Sequence, residues 1–266
     1  MKGVKNIVIL FGKIREYLIK RGFHIVTRAG EIMDAYPIRV LGVILIFGFL
    51  ISIKIILENP PSIEEGSTDS WWVIGLNVIH GRGYSLCIPR YFPFCETIIQ
   101  STASREPVPV LLFSLVAILG NDSLWMATGV ELLIYLTVLV TIYLLSLEWA
   151  NSRAALIASL FWAIYIPAIN LIPQVSGDLL AAFFVTSGIL FVLRSRKTDR
   201  VRDWLIAGLG LGLGVMSRSA TLTIPVILIG GLIIERWREG RNFIDIFKPS
   251  LYSRWYGFSH CIAMVN

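Results

Sequence analysis

The chain has 266 residues, 55% of them hydrophobic and only 16% charged, with a formal net charge of +6. Soluble domains carry nearer ~25% charged residues, so the composition excludes an ordinary soluble domain and points to an all-α polytopic membrane protein. In such a chain the positive balance is a topology signal, and no nucleic-acid partner is expected.

Residues 1–37 form a basic arm. Lys2, Lys5, Lys13, Arg15, Lys20, Arg21 and Arg28 are interleaved with Ile7, Ile9, Leu10, Phe11, Ile14 and Leu18. The pattern suits an amphipathic helix on an anionic membrane face, and a partly ordered cytoplasmic arm fits it equally. The arm is too long for the n-region of a cleavable signal peptide. The first span is expected at 38–57, about the ~20 residues that a bilayer core needs.

Residues 58–123 read as one outward loop. Its 58–106 portion holds six acids (Glu58, Glu64, Glu65, Asp69, Glu96, Glu106) against three bases (Arg82, Arg90, Arg105). Within it, "TDSWWVIGLNVIHGRGYS" (68–85) is too short and too broken by Gly to span. Ser67 or Thr68 can cap a helix there, with Asp69 in its first turn. At ~100° per residue, Asp69, Ser70, Asn77 and His80 fall on one narrow stripe that Val73 interrupts. Trp71 and Trp72 suit the depth of the membrane interface, which predicts a juxtamembrane helix ending at the "GRG" reversal. Asp69 on these grounds either complements a helix N-terminus or serves as a functional carboxylate.

Cys87 and Cys95 lie in the same outward loop, where a disulfide is chemically permitted; a bridge and two free thiols both remain open. Cys261, His24 and His260 receive no role. Arg105 and Glu106 precede a second short apolar run, 107–119, which has 13 residues and suits a re-entrant or interfacial helix. Pro107 fits its first turn, and Glu106 complements its dipole.

Five further spans are expected at about 124–146, 153–172, 177–193, 203–217 and 221–235. If 107–119 does not cross, the arm, the 147–153 turn, the 194–203 loop and the tail share one side. With Arg39 they hold 19 of the 24 Lys and Arg residues. The positive-inside rule makes that side cytoplasmic. The expected layout is a cytoplasmic arm (1–37), a six-span module (38–235) and a basic cytoplasmic tail (236–266), with the plasma membrane as the expected location.

Lys54 sits near the outer end of the first span and can snorkel. Glu131, about two turns below the outer surface, either pairs with a base in the bundle or lies near the interface. Asp178 in "QVSGDLL" is an acid at a helix start that Ser176 can cap. Arg218 interrupts a hairpin at the outer surface, where it suits lipid headgroups or a lipid-linked phosphate held bidentately. "GLGLGLG" (208–214) lies inside an apolar span and points to close helix packing rather than to a phosphate loop.

The order of these features resembles a known family. An early outward Asp69 and "LNVIHGRGYS" are followed by "REPVPVLLFSLVAILG", a span with an acid at its outer start, a basic loop, and "GLGLGLG" leading to Arg218. This ordered pattern, over about 38–235, is similar to membrane glycosyltransferases of the C fold. It most resembles the branch of protein O-mannosyltransferases and lipid A aminoarabinose transferases. The resemblance implies a polyprenyl-phosphate-linked sugar as donor, work at the extracytoplasmic face, and Asp69 as the catalytic carboxylate. It implies substrate-binding roles for Arg105, Glu106, Asp178 and Arg218. No cofactor is required by the sequence; some relatives bind a divalent metal, for which Glu106 is the candidate, without a matching His. The acceptor, whether glycan, lipid or protein, is left open. Members of that family continue with further spans, so the resemblance also implies that a chain stopping at "SLYSRWYGFSHCIAMVN" is a fragment, a frameshifted product or a degenerate relative. The alternative function is a non-catalytic lipid-binding or assembly subunit with the same fold.

Overall fold

A computed structural model of the chain describes residues 30–61, 68–85, 105–198 and 200–238. The regular elements among them are all helical: α1 (Pro37–Glu58), α2 (Thr68–Ile79), α3 (Pro107–Gly120), α4 (Leu124–Trp149), α5 (Ser152–Ala163), α6 (Ile166–Leu171), α7 (Gly177–Thr198), α8 (Val201–Ser217), a 3-10 turn (Ser219–Leu222) and α9 (Thr223–Arg238). The expected all-α membrane fold is what the chain adopts. Most of the basic arm, the end of the tail, Ser67, Cys87, Cys95 and Cys261 lie outside the described residues.

Three of these helices, α1, α4 and α7, are long and apolar enough to cross a membrane. α3, α5 and the stretch Ser219–Ile234 are shorter apolar helices. The 153–172 segment is not one helix: α5 stops at Ala163 and α6 starts at Ile166. Pro167 in the first turn of α6 has no N–H to donate back to α5, so the hydrogen-bond ladder cannot run through it.

α7 and α8 form the tightest pair. A Cβ at Gly210 would lie 3.1 Å from Gly188 Cα and 3.1 Å from the Phe184 carbonyl oxygen. One at Gly214 would lie 2.8 Å from Val185 Cγ2, whereas Gly208 and Gly212 face open space. So the glycine run is a packing stripe: alternate glycines at Gly210 and Gly214, four residues apart, let two backbones approach.

α2 packs on α3 by the same device. A Cβ at Gly75 would meet the Ser114 backbone nitrogen at 3.1 Å, and Ser114 Oγ lies 3.3 Å from the Gly75 carbonyl oxygen. Trp71 and Trp72 are each 1% exposed, in one core cluster with Ile74, Val110, Phe113 and Val175. The Trp72 ring meets Phe113 edge-on at 6.5 Å. This corrects the expectation that the tryptophans anchor α2 in the lipid interface. Neighbouring residues point ~100° apart on a helix, so burying both requires protein on two sides of α2. α3 and the turn before α7 supply it.

The polar stripe of α2 divides. Asn77 is buried, and its Nδ2 donates to the Ser85 carbonyl at 2.8 Å, tying the following turn to the helix. His80 Nε2 lies 3.4 Å from Asp122 Oδ2. Gly81 and Gly83 take φ of +74° and +70°, as the reversal after α2 requires. Asp69 stands in the first turn of α2.

Candidate functional site

Three helix ends converge: the starts of α3 and α7 and the end of α8. Gly177 makes the convergence possible. A Cβ there would lie 2.7 Å from Pro109 Cγ and 3.0 Å from the Ser217 carbonyl oxygen. Only a residue without a side chain lets α3, α7 and α8 close to this distance. The turn leading into α7 is itself tight: buried Val175 takes φ +48°, a left-handed conformation rare for a β-branched residue. The Ser176 hydroxyl accepts a long 3.4 Å hydrogen bond from the Asp178 amide, so the predicted cap is present but weak.

Asp178 follows Gly177 directly, in the first turn of α7. Arg218 is the residue between α8 and the 3-10 turn, with extended backbone (φ −153°, ψ 109°). Arg218 Nη1 lies 2.9 Å from Asp178 Oδ1, with both side chains partly exposed. The arrangement also suits the dipoles, an acid at a helix start and a cation at a helix end.

Glu106 reaches the same turn from α3. It is the residue that precedes the helix, yet its carboxylate makes no cap to its own α3. Instead Oε1 accepts from the Ser219 amide at 2.9 Å and lies 3.0 Å from Ser219 Oγ. Burial by itself would raise this carboxyl. The hydrogen bonds from the Ser219 amide, its own amide and the Ser219 hydroxyl, with the Arg218 charge behind them, outweigh burial and hold it below the ordinary glutamate value.

Two guanidinium groups share one indole. Arg105 Cζ lies 4.7 Å from the centroid of the Trp71 ring, and Arg218 Cζ lies 6.0 Å from it. Arg105 Nε is buried and has no hydrogen-bond partner among the described residues. The Arg105 carbonyl accepts from Tyr84 Oη at 2.8 Å. Burial, then the Glu106 charge, raise the Tyr84 phenol above its ordinary value. The two cations stand beside two acids, Asp178 and Glu106; Arg218 is paired with Asp178, while Arg105 has no ion-pair partner among the described residues and is the cation left for an anion.

The adjacent pair Arg105 and Glu106 is thus brought together with the distant Asp178 and Arg218 around Trp71, and Asp69 lies two residues before that tryptophan on α2. Glu131 is not paired with a base. It is fully buried in α4, and both oxygens lack hydrogen-bond partners among the described residues. Lys54 pairs instead with Glu58 one turn on, at 3.7 Å. Sequence reasoning missed Trp71 as a platform for two cations, and it missed Ser219 and Gly177 altogether. Gly177 was the more legible of the pair, since a glycine directly before a helix-start acid allows a close approach.

The described residues form no divalent-metal site around Glu106. Glu106 Oε1 is occupied by Ser219, and no three of His, Cys, Asp and Glu gather in a metal-binding group among the described residues.

No curated protein and no solved structure matches the chain. The sequence pattern of the dolichyl-phosphate-mannose-protein mannosyltransferases matches residues 104–246. That stretch is more than half of the chain, and it contains Arg105, Glu106, Asp178, Arg218 and Ser219 while leaving out α2. The chain therefore belongs to the dolichyl-phosphate-mannose-protein mannosyltransferase family.

Proposed function

We propose that the protein is an inverting glycosyltransferase that takes a sugar from a polyprenyl-phosphate donor at the extracytoplasmic membrane face. The observation that carries this reading is the Arg218–Trp71–Arg105 arrangement, whose two arginines lie within the family-matched region. Arg105, without an ion-pair partner among the described residues, and Arg218 beside the same ring suit the donor phosphate, and Arg binds phosphate bidentately. The family supports the sugar-transfer class, and mannose is the sugar its description names.

In this reading an acceptor hydroxyl attacks the anomeric carbon from the face opposite the phosphate. Asp69 takes the hydroxyl proton as the new C–O bond forms. The bond from the anomeric carbon to the phosphate oxygen breaks, and the electron pair leaves with the polyprenyl phosphate. Arg218, with Arg105 beside it, stabilises that charge. One displacement inverts the anomeric configuration and needs a single base. Asp178 holds Arg218 extended before the donor arrives, and Glu106 completes the site beside it.

The test is Asp69→Asn in membranes supplied with dolichyl-phosphate mannose. Loss of a general base is expected to lower transfer by about 10²–10⁴-fold while donor binding persists. Full transfer by Asp69→Asn would overturn Asp69 as the base, whereas no transfer above background by the wild-type protein would favour a lipid-binding or assembly subunit that uses the same fold.

A further inference from the structure

Residues 217, 218 and 219 form a bracketed turn. On one side, the Ser217 carbonyl packs against Gly177, in the same junction as Pro109. On the other, the Ser219 amide and hydroxyl are fixed by Glu106 Oε1 at 2.9 and 3.0 Å. Arg218 lies between them in extended backbone, where its N–H donates to the Gly214 carbonyl at 3.0 Å and its carbonyl accepts from Thr221. Those bonds are local to the turn; the bonds from Ser219 to Glu106 tie the turn to the start of α3, so where Arg218 stands relative to Arg105 and Trp71 depends on Glu106.

Glu106 is free for that task because it does not cap α3. Its hydrogen bonds run to a backbone amide and a hydroxyl 113 residues away in sequence. Both use the same oxygen, so the geometry asks for one well-placed acceptor rather than for two carboxylate oxygens.

We infer that Glu106 is a positioning residue: it grips Ser219 so that Arg218 is aimed at the donor phosphate, and it does not itself touch the donor. This rests on the donor-phosphate role proposed for Arg218. It assigns Glu106 a part different from a substrate or metal contact. A glutamine, which keeps one acceptor oxygen in the same place, should replace it; an alanine should not.

The experiment measures binding of dolichyl phosphate to the full chain in phosphatidylcholine nanodiscs, for wild type, Glu106→Ala, Glu106→Gln, Arg218→Ala and Glu106→Ala/Arg218→Ala. Hydrogen bonds to a charged group are worth enough that Glu106→Ala should weaken binding about 10-fold or more. Glu106→Gln should stay within about 3-fold of wild type, the remaining loss being that of charge-assisted strength. The double variant should bind like Arg218→Ala alone, because a residue acting only through Arg218 has nothing left to act on. Should Glu106→Ala not fold, Ser219→Ala carries the same comparison, with about 3–10-fold weaker binding when Arg218 is present and no further loss when it is absent. The inference is overturned if Glu106→Gln binds as poorly as Glu106→Ala. It is equally overturned if the Glu106 loss adds in full on the Arg218→Ala background. Wild-type binding by Arg218→Ala would instead sink the donor-phosphate reading, and this inference with it.

Discussion

Asp178 and Arg218 meet at 2.9 Å across the mouths of α7 and α8, 40 residues apart in sequence and both within reach of water. An ion pair so placed is worth little to folding, about 0.2–1 kcal/mol. Asp178→Asn should therefore shift the unfolding free energy by less than ~1 kcal/mol in thermal melts in detergent. Arg218→Ala should weaken dolichyl-phosphate binding at least ~10-fold, and Arg218→Lys should recover only part, because an ammonium cannot grip phosphate with a planar fork. Equal loss of stability and binding in both variants would mean that the pair is structural.

Gly177 sits where a side chain would strike a proline ring. Gly177→Ala should destabilise by about 1–3 kcal/mol, the usual cost of overpacking, since neither Pro109 Cγ nor the Ser217 backbone can step aside cheaply. Combining it with Pro109→Ala should regain part of that loss. Differential scanning calorimetry of the two variants checks both statements.

The glycine stripe of α8 gives a contrast within one helix. Gly210→Ala should cost ~1–3 kcal/mol, because the added carbon meets the backbone of α7 at 3.1 Å. Gly212→Ala should be neutral or stabilise by up to ~1 kcal/mol, because it faces open space in a helix interior. Equal melting temperatures for the two variants would contradict the packing described.

The low-lying carboxyl of Glu106 predicts a pH signature. Its folded value lies below the ordinary one, so its contribution to stability is fully present above the ordinary glutamate range of ~4.3. That contribution is lost as pH falls through the depressed value. Melting temperatures of wild type and Glu106→Gln should thus differ by a constant amount from neutral pH down to about 4.5, and converge in more acid buffer. A convergence already complete near pH 6 would contradict the hydrogen bonding to Ser219.

A reporter inserted at the Asn121–Asp122 turn examines the orientation. With both residues in left-handed conformation between α3 and α4, the turn is short and projects from the helix ends. An alkaline phosphatase fusion there should be active under the proposed orientation, in which the basic segments are cytoplasmic and this end is outside. An inactive fusion, with a fluorescent-protein fusion bright at the same point, would mean that 107–119 crosses the bilayer.

Much of this protein was legible from composition and period alone. A 22-residue apolar run such as α1 suits a helix in lipid, since a helix satisfies its backbone within the one segment, whereas strands there must close into a barrel. Prolines at the start of α3, the Gly81–Gly83 reversal and the small residues of α8 are local features, and local rules read them correctly. Asp178 and Arg218 could be singled out because a charge in an apolar chain is costly and therefore informative. What the sequence could not carry was partnership. Whether Trp71 faces lipid or protein depends on α3 and on the turn before α7, since helical period says only which way a side chain points. That Glu106 leaves its own helix to grip Ser219 depends on a contact across 113 residues. Such contacts exist only once the helices have packed, and it is the close approach at Gly177 that brings those three helix ends together.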